Sequence, residues 1–344
     1  MAIRPQYKPE DVMKYQSKTL KLAAALAATF AVAGMTMTHE AEAADKVTFN
    51  MAWLPQGSMS GIAVAIGKGF YEEAGLEVEA VRGFGGIRTT NEIDQGLFEF
   101  GYGNPLGVIL NRSKGGKTRL VGAINDRWPA GLCFVKEHHD LKTPADLAGL
   151  TIGGGQYSPV QVMMPAWLER NGVSRDSVKL LQMDPAVVDA SLIEGKIDAA
   201  ECWEGSNKAL IEKRAREAGL TIDWVEYEQH NLDIYGSGLV TSDKLIDENP
   251  DLVQRFVTAT YRGYAYANEH PQEATDILVK LFPVLAPDVT MQQVKETTDL
   301  LKGPGPMGDM TEEKMASTLE FLKSAYSVTE DINVADIYTT RFVK

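Results

Sequence analysis

Cysteine, histidine and positive charge are all scarce in this chain. Only two cysteines and five histidines occur in 344 residues. Cys133 and Cys202 lie in the apolar stretches "GLCFV" and "DAAECW", and no histidine stands at metal-ligand spacing from either, which excludes a Cys/His metal site. Their simplest reading is two buried thiols, with a bridge between them the alternative that an exported chain allows. His138-His139 falls in a polar turn and reads as solvated surface. Ser58 and Ser158 have no histidine in a neighbouring loop, since His230 and His270 belong to the helical return region. Neither a G-x-S-x-G elbow nor an HExxH pair is present. These absences point away from an enzyme and leave no catalytic residue, metal or cofactor to assign. The formal net charge of -13 excludes nucleic acid or an anionic membrane surface as partner, because both select basic patches.

Long apolar runs are missing too, with one exception. Lys14, Lys18 and Lys21 precede "LAAALAATFAVAGM", and "AEAAD" then places Ala41 and Ala43 in the small-residue pattern of a signal-peptidase site. The run is too short and too poorly flanked to span a membrane. Residues 1–43 therefore read as a signal peptide cleaved after Ala43. Its loss removes five basic and four acidic side chains and leaves a mature chain that is still acidic, at -14.

What is present is a pattern that occurs twice. From Val47, "VTFNMAW" is strand-like, a loop and an apolar helix follow, "LEVEAV" alternates like a strand, "IRTTNEIDQ" reads as a helix and "FEFGYG" as a strand. From Thr151 the order repeats: "TIGG", the helix "PVQVMMPAWLER", "SVKLLQM", the helix "DPAVVDASLIE", then "IDAAECW". Both halves place a glycine just before a strand with an early acidic residue, in "DQGLFEF" and "IEGKIDA". The sequence thus predicts an α/β fold of two similar lobes, each a mostly parallel sheet flanked by helices. The last third is helical, and Leu252, Phe256, Val257 and Tyr261 recur at core-facing spacing. Lobe 1 is expected to comprise residues 44–137 and 233–344 with the C-terminal helices, and lobe 2 residues 138–232.

In such sheets ligands sit outside the carboxyl ends of the strands. The loop "TIGGGQYSPVQ" is therefore central. Ser158 stands where a dinucleotide fingerprint needs glycine, Asp184 opens a loop instead of closing the next strand, and no Lys-Ser/Thr follows the glycines, so neither nucleotide motif fits. Ser158, Pro159 and Gln161 instead form a capping box with proline at the first helical position, a helix start able to receive an anion or a polar oxygen. Its counterpart in the first half, "WLPQGSMSG", also sets serines before a helix.

Several stretches resemble a known family. "WLP", "GIAVAIGKGFYEEAGLEVE", "LKTPADLAGLTIG", "GKIDAAECWE" and "YGSGLVTSDKLIDENPDLVQRFVTA" are similar to the periplasmic solute-binding proteins of nitrate/sulfonate/taurine/hydroxymethylpyrimidine ABC importers. The resemblance implies a two-lobed type II binding protein in the periplasm. Such a protein acts as a monomer that closes on a small organic ligand and delivers it to an inner-membrane permease. The pyrimidine-precursor branch, which includes a synthase, carries Trp-x-Pro-Asn-x-x-His-x-Gly in its first loop. Here that frame reads Trp53, Pro55, Gln56, Met59 and Gly61, with methionine in the histidine position, and the synthase's cysteine-rich stretch is absent. An exported enzyme of the same fold, acting on a pyrimidine-like or aromatic substrate, is the alternative.

By position, the strand-end loops offer Trp53, Gln56, Ser58 and Met59, then Phe84 and Gly85, then Asn104. The second half offers Gln156, Tyr157 and Ser158, then Trp203 and Glu204. Arg127 and Tyr235 lie at the two crossovers between lobes. Trp53 and Trp203 suit a flat ring, Glu204 a ligand donor, and Arg127 a carboxylate or sulfonate. Arg88, in a first helical turn, reads as a solvated charge. The expected ligand is an aromatic or heterocyclic compound or an organic acid.

Overall fold

The strand-like stretches of the two repeats assemble into two five-stranded sheets in a computed structural model, which describes residues 43–155, 160–303 and 305–343. Chain order in the first half is β1 (Asp45–Asn50), α1 (Ser60–Gly67), α2 (Phe70–Glu73), β2 (Leu76–Val81), α3 (Gly86–Asp94), β3 (Phe100–Gly103), α4 (Pro105–Arg112) and β4 (Thr118–Ala123). The second half runs β5 (Ala130–Val135), β6 (Thr151–Gly155), α5 (Val160–Arg170), β7 (Lys179–Met183), α6 (Pro185–Ile193), β8 (Ala199–Trp203), α7 (Asn207–Glu217) and β9 (Ile222–Glu226). The chain then returns through β10 (Gly238–Ser242) to α8 (Asp243–Glu248), α9 (Pro250–Glu269), α10 (Pro271–Leu281), α11 (Pro287–Leu300), α12 (Glu312–Ala325) and α13 (Val334–Ile337).

Sheet orders are β2-β1-β3-β10-β4 and β7-β6-β8-β5-β9. In each, three strands of one repeat run parallel and the fourth is antiparallel. That fourth strand arrives directly from the other lobe, so each crossover feeds straight into a sheet. The expected boundary after residue 137 is thereby corrected. β5 pairs with β8 and β9, placing Ala130–Val135 in the second sheet and the first crossover at residues 124–129. The return lies within residues 227–237, on either side of the expected position. The expected signal peptide lies outside the described residues apart from Ala43.

The acidic residue shared by the repeats has the same job in both lobes. Glu99 Oε2 accepts from Thr48 N at 2.7 Å, and Asp198 Oδ2 accepts from Thr151 N at 2.7 Å. Each carboxylate satisfies a backbone donor of its repeat's first strand, β1 or β6. The preceding glycines, Gly96 and Gly195, have φ of 74° and 68°, a left-handed helix end that side chains other than glycine resist.

α9 supplies the core face expected of it: Leu252, Phe256 and Val257 are buried, and Phe256 stacks on Phe100 with centroids 3.9 Å apart. The other C-terminal helices do not all belong to the first lobe. α12 packs against both α4 and α5, and α11 against both the 57–59 turn and α7. A single apolar cluster accordingly runs from Leu106 and Ile109 through Met315 and Leu322 to Met164 and Trp167.

Cys133 and Cys202 form a disulfide with a Cα–Cα distance of 5.8 Å, correcting the reading of two free thiols. They lie diagonally on the antiparallel neighbours β5 and β8 and point to the same face, within reach of a bridge.

Candidate functional site

β1 ends at Asn50, whose buried amide braces the loops beyond it. Its Oδ1 accepts from Ala52 N and from Thr89 Oγ1, each at 2.9 Å, and its Nδ2 donates to Glu92 Oε2 at 2.8 Å. Ala52 has φ of 59°, a left-handed conformation costing an alanine on the order of 1–2 kcal/mol. This reversal turns Trp53 and Leu54 into solvent, at 47% and 45% exposure. Gly85 N donates to Ala52 O at 2.6 Å and Gly83 N to Trp53 O at 3.3 Å, which ties the first two strand-end loops together. Gly85 adopts φ of 115°, and a Cβ on Gly83 would lie 2.2 Å from Asn50 Oδ1. Between these glycines Phe84 projects outward, 55% exposed. The guanidiniums of Arg82 and Arg88 lie 4.8 and 4.9 Å from its ring centroid. Arg88 is held there by Glu92.

Gln56 and Ser58 do not line this rim; they join the lobes. Ser206 Oγ donates to Gln56 Oε1 at 2.8 Å, Gln56 Nε2 donates to Ser58 Oγ at 3.0 Å, and Ser58 N donates to Gly205 O at 3.2 Å. Gln293 of α11 completes the strap, its Oε1 accepting from Gly57 N at 2.9 Å and its Nε2 donating to Ser206 O at 2.7 Å. Met59 is buried in the apolar core of the first lobe, against the expectation that it faces the cleft. Asn104 caps α4, accepting from Gly107 N at 2.9 Å.

At the first crossover, Arg127 is paired with Glu204 and with Glu226, the latter at 3.0 Å. Burial opposes the guanidinium's charge, but Glu204 and Glu226 outweigh it and raise the Arg127 pKa. Burial also pushes the Glu226 carboxyl above the usual carboxylate range, with Arg127 opposing. Arg127 and Glu204, each expected to meet the ligand separately, are instead paired with each other. Trp203 is half-buried, with its ring centroid 5.1 Å from that of the fully buried Trp128. At the return crossover Tyr235 is buried and its hydroxyl accepts from Thr311 N at 2.8 Å. Gln156, Tyr157 and Ser158 lie outside the described residues. Among the described residues no group of three His, Cys, Asp or Glu side chains is placed to hold a metal ion.

Two contributors escaped the sequence reading. Arg82 opens the turn "RGFGG", and its signal was a cation next to an aromatic at a strand end. Gln293 carried no signal, because nothing local to α11 marks it as a bridge between lobes.

Comparison with known proteins places this geometry in a family. Riboflavin-binding protein RibY of Chloroflexus aurantiacus is 24% identical over 309 residues, 87% of this chain and 86% of that protein. A 4-amino-5-hydroxymethyl-2-methylpyrimidine phosphate synthase of Legionella pneumophila is 23% identical over 300 residues, 87% of this chain and 92% of that one. The crystal structure of the periplasmic aliphatic sulphonate binding protein SsuA from Escherichia coli superposes with a TM-score of 0.68 at 15% identity, covering 85% of this chain and 96% of that chain. Residues 56–274 match the family model described as NMT1/THI5 like. With well over half of its length matched, the chain belongs to the NMT1/THI5-like family.

Proposed function

We propose that this protein is the periplasmic solute-binding component of an ABC importer, gripping a small aromatic or heterocyclic compound or organic acid between its two lobes and passing it to a membrane permease. The observation that carries the reading is the paired exposure of Trp53 and Phe84 at the ends of β1 and β2. Large aromatics normally sit inside a protein, and these two are held outward by a left-handed Ala52 and a glycine-flanked turn. In a doubly wound sheet that end of the strands is where ligands bind. Similarity to riboflavin- and sulphonate-binding proteins supports the same use. Affinity would come from hinge closure about the crossovers at 124–129 and 227–237.

The synthase relative favours a second reading, catalysis on a pyrimidine-like compound. Against it, the position of the branch's loop histidine is Met59, whose side chain is buried in the core.

A thermal-denaturation screen of flavins, pyrimidines, alkanesulfonates and aromatic acids tests the proposal. A ligand at 100 times its Kd stabilises by roughly 2.7 kcal/mol. Trp53→Ala should weaken binding at least tenfold while leaving the apo melting temperature within a degree or two, since the side chain is half-exposed. Stabilisation undiminished in that variant removes Trp53 from the site, and consumption of the ligand over hours favours the enzyme. For export, the mass of the secreted protein should match a start at Ala44.

A further inference from the structure

Three arginines lie at or near the expected cleft, and they differ in what neutralises them. Arg127 has two carboxylates, Glu204 and Glu226. Arg88 has one, Glu92, itself anchored by the buried Asn50. Arg82 is exposed and, among the described residues, has no ion-pair partner. Its guanidinium carbon lies 4.8 Å from the centroid of the Phe84 ring. Other surface cations also lack an ion pair, but Arg82 has its charge free beside an exposed aromatic ring, where a bound anion could meet both. Elsewhere in the first lobe, Arg262 lies over the ring of Phe70 but pairs with Glu73, and Arg341 lies over the ring of Phe342, which is buried and so offers no exposed face beside the charge.

The surroundings of Arg82 give it a use. Trp53, Leu54, Phe84 and Ile87 are all exposed large apolar side chains; the first three lie in two loops hydrogen-bonded to each other, and Ile87 lies in the first turn of α3. A flat apolar body can rest on this platform while an acidic group meets the guanidinium, whose planar fork pairs with carboxylate, sulfonate or phosphate oxygens. Arg88, locked by Glu92, keeps the Phe84 ring in place.

We infer that the ligand is an organic anion with a flat apolar body, its acidic group received by Arg82 on the first lobe and not by Arg127 at the crossover. The inference rests on the solute-binding reading above and narrows it to a charge and a residue.

The test uses the mature chain and paired probes of equal shape, naphthalene-2-sulfonate against naphthalene-2-sulfonamide and 2-naphthoate against 2-naphthamide, followed by calorimetry and thermal denaturation. Wild-type protein should bind the anions at least tenfold more tightly than the neutral partners. Arg82→Gln should abolish that preference, and Lys46→Gln, an equal loss of charge at the opposite end of β1, should keep it. The apo melting temperature of Arg82→Gln should be unchanged, because the side chain is exposed. Equal binding of charged and neutral probes, a preference that survives in Arg82→Gln, or stabilisation by neutral or cationic compounds alone would each overturn the inference and leave the binding-protein reading standing. Failure of every compound in the wider screen to bind would end both.

Discussion

The two lobes repeat one backbone and differ in what they hang on it. Glu99 and Asp198 accept from the first strand of each repeat, and Gly96 and Gly195 end the preceding helices with positive φ. Gly238 and Gly131 occupy the same place on the antiparallel strand, and a Cβ on either would lie 2.5 or 2.6 Å from a carbonyl oxygen of the neighbouring strand. Trp128 and Tyr235 sit buried at matching points of the two crossovers. These positions answer to backbone geometry, which both lobes share. The diagonal pair Cys133–Cys202 of the second lobe corresponds to Val240 and Gly103 in the first, where valine simply fills the space over glycine. Covalent closure in one lobe and packing in the other serve the same frame. At the rim the first lobe carries exposed aromatics and Arg82, which has no ion-pair partner among the described residues, whereas at the end of β8 Glu204 is paired with Arg127.

Breaking the bridge should have the largest effect. Cys202→Ser opens a loop of 69 residues and should cost about 4 kcal/mol, read as a lower denaturant midpoint that dithiothreitol no longer shifts. The counterpart experiment transplants the bridge. A Cβ on Gly103 would lie 3.3 Å from Val240 Cβ, so the double variant Gly103→Cys, Val240→Cys should oxidise spontaneously and stabilise the first lobe by about 3 kcal/mol, with the loss of two thiols measured by alkylation. Gly131→Ala and Gly238→Ala should each destabilise by about 2 kcal/mol through overpacking against backbone. Unequal costs would show that the lobes tolerate strain differently. The smallest effect concerns Glu226, which has no ionisable equivalent in the first lobe because Ala123 stands there. Its raised pKa means the fold binds that proton more tightly than the unfolded chain does. Stability from this group is thus present below the ordinary carboxylate pKa and lost as pH rises through the folded value. Glu226→Gln should stabilise slightly at pH 7, and the difference should vanish near pH 4.

Much of the frame was legible beforehand. The strand–helix order of both repeats and the glycine stops are local signals, each set by a backbone requirement within a few residues; the shared acidic residue was visible too, but its partner, about 50 residues away, was not. β5 was misplaced because its six buried residues suit either sheet equally well, and only pairing with β8 and β9 assigns it. The bridge escaped for the same reason, since its two halves are distant in sequence and meet through strand register. Among site residues, Trp53 and Phe84 stand exposed at strand ends as their positions suggested, while Met59 packs into the core and Arg127 is bound by carboxylates contributed by β9 and the end of β8.

By itself the sequence determined a doubled α/β chain, because alternation, turns and caps are written in short segments that fold under local rules. The tertiary structure alone decided which charges are spent on one another and which remain available. Charge neutralisation depends on three-dimensional neighbours, and nothing in the spacing of Arg82, Arg88 and Arg127 along the chain distinguishes the paired from the unpaired.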